Sequence, residues 1–443
     1  MGQADRLLDD DALVATVHAA LRRRRPKSAR RGRTGTPAEV VLRLLVLKHV
    51  RNWSYAVLER EVRTNLVYRT FTRIGGGKVP DAKTMGKWGP VVGPQVVAQL
   101  HERLVAMARD ARVMAGRRMR VDTTVVESNI HYPTDSSLLG DGVRVLTRTM
   151  RKVTAIAGAV GATLRDRSRS VNRRLMEIGR IARTKGALRQ EKLTHAYQRL
   201  FASTSRVVGQ AKRFAQEIRT GVKRTADVMQ QIALEGLRQE LDTFVPRVQQ
   251  VLRQARARIL RGNTHADGKL LSLFEPSTEL IRKGKAGKPN EFGKLLKLQE
   301  AEQQIITHYE VYDQRPSDGD LLLPAIAAHA QVFGQAPRLV TADAAFYSGA
   351  NEDAAHAKGV KRVCIPNRST KSPARKREQK KRWFKNGQRW RTGCEGRISV
   401  VKRRHGLTRS RYKGDAGMKR WVGLGVIADN LINICRVLAT RRV

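Results

Sequence analysis

Cysteines and acidic residues are both scarce in this chain. The three cysteines, Cys364, Cys394 and Cys435, lie 30 and 41 positions apart, with neither the close pairs nor the neighbouring histidines that a zinc tetrahedron needs. Neither a disulfide framework nor a zinc finger is expected. Long apolar runs are missing as well: uncharged stretches such as Ala155 to Leu164 fall short of the roughly 18 residues of a membrane span. The opening MGQADRLLDDD is acidic, where a secretory signal is basic and then apolar. A cytoplasmic protein with no membrane partner is the expectation.

Asp and Glu total 39 against 87 Lys and Arg, a formal net charge of +48 at pH 7. A compact body with that surplus repels itself unless its usual partner is a polyanion, and nucleic acid fits best. The apolar fraction of 41% is that of a folded chain, so disorder throughout is excluded. At about 150 residues per domain, 443 residues suggest roughly three domains.

The basic run Arg22 to Arg33 follows a short opening helix and has the composition of a flexible, DNA-attracting linker. Thr36-Pro37-Ala38-Glu39 offers a capped helix start, and Val40, Val41, Leu44, Leu45 and Lys48 follow with helical spacing. Ser54 to Val67 predicts a second helix, broken by Ile74-Gly75-Gly76-Gly77. Pro80 to Thr84 starts another, and Pro94 to Asp110 a further one. These helices fit a helix-turn-helix-like DNA reader or a plain helical packing domain.

Arg117 to Val126 alternates with the period of a strand and carries one acid, Asp122. From Thr134 to Val245 there is no proline, and Arg144 to Gly262 holds 27 Lys or Arg against 8 acids. That segment predicts long basic helices, whose charges suit contact with DNA phosphates or simply a solvated surface. Beyond His265 strands are expected at Lys269 to Phe274, Phe292 to Leu298 and Gln304 to Tyr312, with a Gly/Lys turn at RKGKAGKPNE. A helix at Leu321 to Phe333, a strand at Arg338 to Ala342, a helix at Ala350 to Lys358 and a strand at Val360 to Ile365 complete an α/β pattern.

Asp122 lies in one apolar strand, Asp343 closes another (RLVTAD), and Glu395 stands among cations in a segment with 22 Lys or Arg and three acids over residues 361–420. Three carboxylates from separate elements of one sheet suit hard divalent cations, which activate water and stabilise a leaving oxygen in phosphodiester cleavage. Taken singly, each acid also reads as a cap or an ion-pair partner. Asp135 and Asp141, in TDSSLLGDG, and Asp313, Asp318 and Asp320, in DQRPSDGD, read as turn chemistry. Glu127, with Asn129 and His131, follows Asp122 closely and is a candidate for a supporting role or for contact with DNA, while His131 itself reads as a packed or solvent-facing histidine rather than a ligand. Trp383 and Trp390 mix with cations as if to stack unpaired bases, whereas Trp421 reads as core.

Four blocks carry a resemblance: VDTTVVESNIHYPTDSSLLGDGVR (Val121 to Arg144), ITHYEVYDQRPSDGD (Ile306 to Asp320), LVTADAAFYS (Leu339 to Ser348) and CEGRISVVKRRHGLTRSRY (Cys394 to Tyr412). Together they resemble the DDE transposases of bacterial insertion sequences, nearest to the ISNCY type, whose catalytic core is ribonuclease-H-like. The resemblance implies that Asp122, Asp343 and Glu395 are the catalytic, metal-binding triad. The family's signature around its glutamate is Tyr, two residues, Arg, three residues, Glu, six residues, Lys. Arg391 and Lys402 match it, and Gln388 stands at the tyrosine position. Arg391 and Lys402, joined by Arg403, Lys83 and Lys87, are the expected DNA-binding residues.

The expected fold is α/β: an all-α DNA-binding domain at 1–115, a ribonuclease-H-like mixed-sheet core at 116–142 and 264–443, and a basic helical insertion at 143–263. The expected function is a metal-dependent DNA transposase, nucleoid-associated, that cleaves insertion-sequence ends and transfers the 3′-hydroxyl to target DNA with two Mg²⁺ (or Mn²⁺) ions. A homodimer or higher synaptic complex with DNA follows, because two ends must meet. The alternatives are a metal-dependent nuclease without strand transfer and a non-catalytic or inactive DNA-binding protein.

Overall fold

Local signals in the chain set most of the helix boundaries in the computed structural model, which describes residues 2–24, 35–265, 267–282 and 289–441. Helices α1 (Gly2–Leu8) and α2 (Asp11–Arg24) come first, and the first arginines of the basic run, Arg22 to Arg24, continue α2. The remainder of that run lies outside the described residues. Helix α3 (Ala38–Val50) starts one residue later than its capping signal suggests, with Pro37 at the cap position and no side-chain cap bond. Glu39 instead accepts from Arg43 at 2.9 Å. The expected helix from Ser54 to Val67 is two: α4 (Tyr55–Thr64), capped by Ser54, and α5 (Leu66–Phe71), where Asn65 breaks the first and caps the second. Asp81 caps α6 (Ala82–Val91), and Pro94 opens α7 (Pro94–Asp110) as its first residue.

Strand β1 (Arg118–Glu127) is followed by four helices: α8 (Asp135–Ala157), α9 (Ser168–Ile181), α10 (Arg189–Arg219) and α11 (Val228–Arg261). TDSSLLGDG is therefore helix rather than turn, started by a capping box between Thr134 and Ser137. Next come β2 (Glu279–Arg282), β3 (Asn290–Glu300), β4 (Ile306–Val311), α12 (Leu322–Phe333), β5 (Leu339–Thr341), α13 (Gly349–Ala357) and β6 (Arg362–Cys364). Helices α14 (Pro373–Lys380), α15 (Arg382–Arg404) and α16 (Gly414–Thr440) close the chain. Lys269 to Phe274 forms no strand. Its backbone is satisfied by α11 side chains: Gln254 accepts from the Leu270 amide and Arg247 donates to the Leu273 carbonyl. Most of the RKGKAGKPNE turn, residues 283–288, lies outside the described residues.

Contacts divide the chain into two units, residues 1–129 with 279–443, and residues 130–278. The first is mixed α/β. Its sheet runs in the order β2-β3-β1-β5-β6, with β4 also paired to β3. β3 is antiparallel to β1, β2 and β4, while β1, β5 and β6 are mutually parallel. Glu127 at the end of β1 and Glu279 at the start of β2 both lie opposite Gly293 of β3.

Helices α1 to α3 and α7 share one hydrophobic cluster with α16, through residues such as Val17, Leu44, Val97 and Leu104 against Leu424, Ile427 and Leu431. Helix α16 is apolar and long enough to cross a membrane, but most of it is buried in this core. Where α3 meets α16, the Lys48 ammonium lies 4.9, 5.0 and 4.8 Å from the ring centres of Tyr55, Tyr412 and Trp421. The second unit buries its own core, with Leu139, Val143 and Met150 of α8, Leu200 and Phe214 of α10, and Leu241 and Val248 of α11.

Candidate active site

The alternation that makes β1 a strand places Arg120 and Asp122 on one face and Thr123 on the other. Pairing of β1 with β5 runs only from Arg118 opposite Leu339 to Arg120 opposite Thr341, whereas pairing with β3 continues to Glu127. Beyond Arg120 and Thr341 the two parallel strands are no longer paired, and the carboxyl end of such strands is where sheets of this kind present ligand-binding groups. Asp122 stands two residues beyond Arg120, and Asp343 two residues beyond Thr341, with its backbone still extended. Each acid thus stands two residues beyond the last parallel pair, Arg120 and Thr341.

Each aspartate is partly held by the backbone. Asp122 accepts from the Thr123 amide at 2.7 Å, and Asp343 accepts from the Ala344 amide at 2.7 Å as it caps a short turn. Glu395 comes from α15. Two glycines let this helix lie against the sheet: a Cβ at Gly387 would sit 2.6 Å from the Cys364 sulfur, and one at Gly393 would sit 2.4 Å from Arg120 Nη1.

Arg391 joins two of the acids. Its Nη2 donates to Glu395 Oε1 at 2.9 Å, and its Nη1 lies 3.7 Å from Asp122 Oδ2. Arg391 and Asp122 are largely covered, at 13% and 16% side-chain exposure, while Glu395 is 60% exposed. Arg391, Glu395 and Lys402 recur at intervals of four and seven residues, so they line one face of α15. Arg403 is exposed beside them. Lys83 and Lys87 stand one turn apart on the exposed face of α6, in the helical part of the unit. Among the described residues, no three His, Cys, Asp or Glu groups already converge closely enough to hold a metal ion.

Gln388, at the signature's tyrosine position, donates to the Cys364 carbonyl at 2.8 Å and anchors α15 to β6. Four of the other candidate acids have structural partners. Asp135 is buried against Arg258, Asp141 pairs with Arg144, Asp313 with Lys419, and Asp318 accepts the Thr123 hydroxyl at 3.0 Å. Glu127 pairs with Arg409 at 3.0 Å, and His131 lies exposed, 3.4 Å from Asp141. Trp421 is core, as its apolar setting suggests. Trp390 is stacked by Arg118 and Arg120, and Trp383 by Arg362, so each indole already carries a cation.

Sequence reasoning missed a buried set of charges beneath the acids. Arg120 pairs with Glu300 at the end of β3, and Arg397 pairs with Asp429 of α16. Burial pushes the Glu300 carboxyl up, opposed by Arg120 and Arg397. It pushes the Cys394 thiol well up, helped by the nearby charges of Glu300 and Asp122. The available signal was an acid inside a long apolar run, WVGLGVIADNLI.

Two family descriptions match the chain. Residues 3–89 match "Transposase domain (DUF772)", and residues 353–435, which include α15 and Glu395, match "Transposase DDE domain". A curated relative, "Uncharacterized protein ORF8 in nfe locus" of Rhizobium meliloti, is 34% identical over 128 residues, covering 27% of this chain and 61% of that protein. No solved structure matches.

Proposed function

Because the chain belongs to the DDE transposases of insertion sequences, we propose that it binds the ends of such an element, cleaves their phosphodiesters and joins the freed 3′-hydroxyl to target DNA at one site formed by Asp122, Asp343 and Glu395. The observation that carries this reading is the Arg391 bridge from Asp122 to Glu395, supported by the parallel pairing of β1 and β5, whose last pair lies two residues before each aspartate. A ribonuclease-H-like core is supported by the sheet itself, in which antiparallel β4, β3 and β1 are continued by parallel β5 and β6.

The donor set fits divalent cations. Three carboxylates supply hard oxygen ligands, and the guanidinium drawn between two of them marks where their charge attracts a cation. Two Mg²⁺ or Mn²⁺ ions bound there would supply the Lewis acidity for phosphodiester cleavage and transfer. The chain's own contribution is placement. β1 and the end of β5 carry the aspartates, α15 carries Glu395 and links it to Asp122 through Arg391, and Arg391, Lys402 and Arg403 offer cations to DNA phosphates along the same helix.

Lys83 and Lys87 on α6 belong to the helical region, 1–115, assigned to end recognition, and the basic helices of 143–263 add contacts to the backbone of DNA. Synapsis of two ends calls for a dimer or larger complex, working at the nucleoid in the cytoplasm.

The test is incubation of the purified protein with its own element's ends, with and without Mg²⁺. Nicks at the ends and joined products are expected with the wild type, and neither with Asp122→Asn, whose binding to end DNA stays within a few-fold. Hydrolysis without joining would reduce the protein to a nuclease. Full cleavage by Asp122→Asn would refute the site.

A further inference from the structure

Glu300 is fully buried at the end of β3, directly opposite Arg120 in the antiparallel ladder with β1. Two arginines converge on its carboxylate: Arg120, which donates to it through Nε, and Arg397 of α15, at 3.9 Å. Each has a second partner. Arg120 Nη1 donates to the Trp390 carbonyl at 2.6 Å, and Arg397 Nη1 donates to both oxygens of Asp429, at 2.7 and 2.9 Å. None of these four charged side chains is more than 7% exposed. Such an array is costly to desolvate, and apolar side chains of similar volume would hold a helix on a sheet as well. What apolar packing lacks is direction.

The array's place along the chain gives that direction a use. Arg120 precedes Asp122 by two residues on the same strand face, and Arg397 follows Glu395 by two. The Trp390 carbonyl lies five residues before Glu395, so α15 is gripped on both sides of the glutamate. We propose that Glu300, with Arg120 and Arg397, acts as a positioning group that fixes the setting of α15 on β1, and thereby the separation of the Asp122 and Glu395 carboxylates at which a divalent cation binds. This rests on the reading of those acids as metal ligands. Metal–oxygen distances near 2.1 Å leave little room for a helix that slides.

The test measures Mn²⁺ binding to the full-length protein by the electron paramagnetic resonance of free Mn²⁺, with unfolding followed in parallel. It compares wild type, Asp122→Asn, Arg120→Lys and the double variant Arg120→Met/Glu300→Leu. Lysine at 120 keeps a charge for Glu300 but lacks the fork that also reaches the Trp390 carbonyl. The double variant removes that ion pair together rather than stranding one member of it.

Binding should vanish in Asp122→Asn and weaken about 10-fold or more in both Arg120 variants, in samples that remain folded. Wild-type affinity in either folded Arg120 variant would overturn the positioning role. Failure of both to fold would also overturn it, because the array would then hold up the whole unit. Binding that survives Asp122→Asn would overturn the ligand reading itself, whatever the other variants do.

Discussion

Replacing Lys48 with methionine should remove a defined pH dependence of stability. Burial pushes the Lys48 ammonium from its usual 10.5 down to about 7, with Arg411 adding to the effect. The groups around it are Tyr55, Tyr412, His49, His405, Arg411 and Arg420. Burial keeps the two phenols and the His49 imidazole neutral near pH 7.

Below about pH 7 the folded and unfolded chains both carry the Lys48 proton. Above it the folded chain sheds the proton while the unfolded chain keeps it up to about 10.5, so stability rises with pH through that window. One proton of difference is worth about 1.4 kcal/mol per pH unit, which integrates to about 2 kcal/mol between about pH 6 and 8.5. The three rings favour the charged form and oppose this by roughly 1 kcal/mol. Lys48→Met fills the cage with a flexible thioether and should be more stable than wild type at about pH 6, with the advantage shrinking as pH rises.

Urea unfolding read by tryptophan fluorescence is the assay, because all five tryptophans lie in the first unit. Subtracting the variant's curve cancels the other titrating groups. Wild-type and variant stabilities that run parallel across the range, within about 0.5 kcal/mol, would refute the reasoning.

Four further outcomes are expected. Arg391→Ala should weaken binding to end DNA and lower the slope of log K against log salt by about 0.9, measured by fluorescence anisotropy across a salt series. Gly393→Ala should cost about 1–3 kcal/mol in chemical unfolding, because its Cβ would press on an Arg120 guanidinium already held by Trp390 and Glu300. Gly396→Ala, on the same helix with open space around it, should instead stabilise by about 0.5–1 kcal/mol. Asp227→Ala removes the cap of α11 and should lower the stability of the second unit by about 1 kcal/mol, read by circular dichroism.

Much of the fold was legible because its signals are local. Pro94 and the apolar spacing after it marked α7, and RLVTAD marked both a strand and the acid that ends it. The three candidate acids could be singled out one at a time, and Arg391 and Lys402 only through the family resemblance around Glu395. Signals misled where tertiary partners decide. Gly140 and Gly142 made a turn out of what is the first part of α8, and apolar Lys269 to Phe274 took its backbone partners from α11 instead of a neighbouring strand. A domain boundary at 115 was expected between helices and sheet, yet the helices of 2–110 and α16 share one cluster. The pairing of Arg120 with Glu300 spans 180 residues, and no periodicity along the chain encodes such a contact.

The two strands that flank β3 run in the same direction, and the segment 130–278 connects the end of one to the start of the other. Both junctions lie opposite Gly293, so they stand about 10 Å apart, two strand spacings. A loop of a dozen residues passing over β3 would bridge that gap. The 149 residues that now do so supply none of the ladder's residue pairs, which β1, β2 and β3 make among themselves, so in the sheet's own terms they are a cassette.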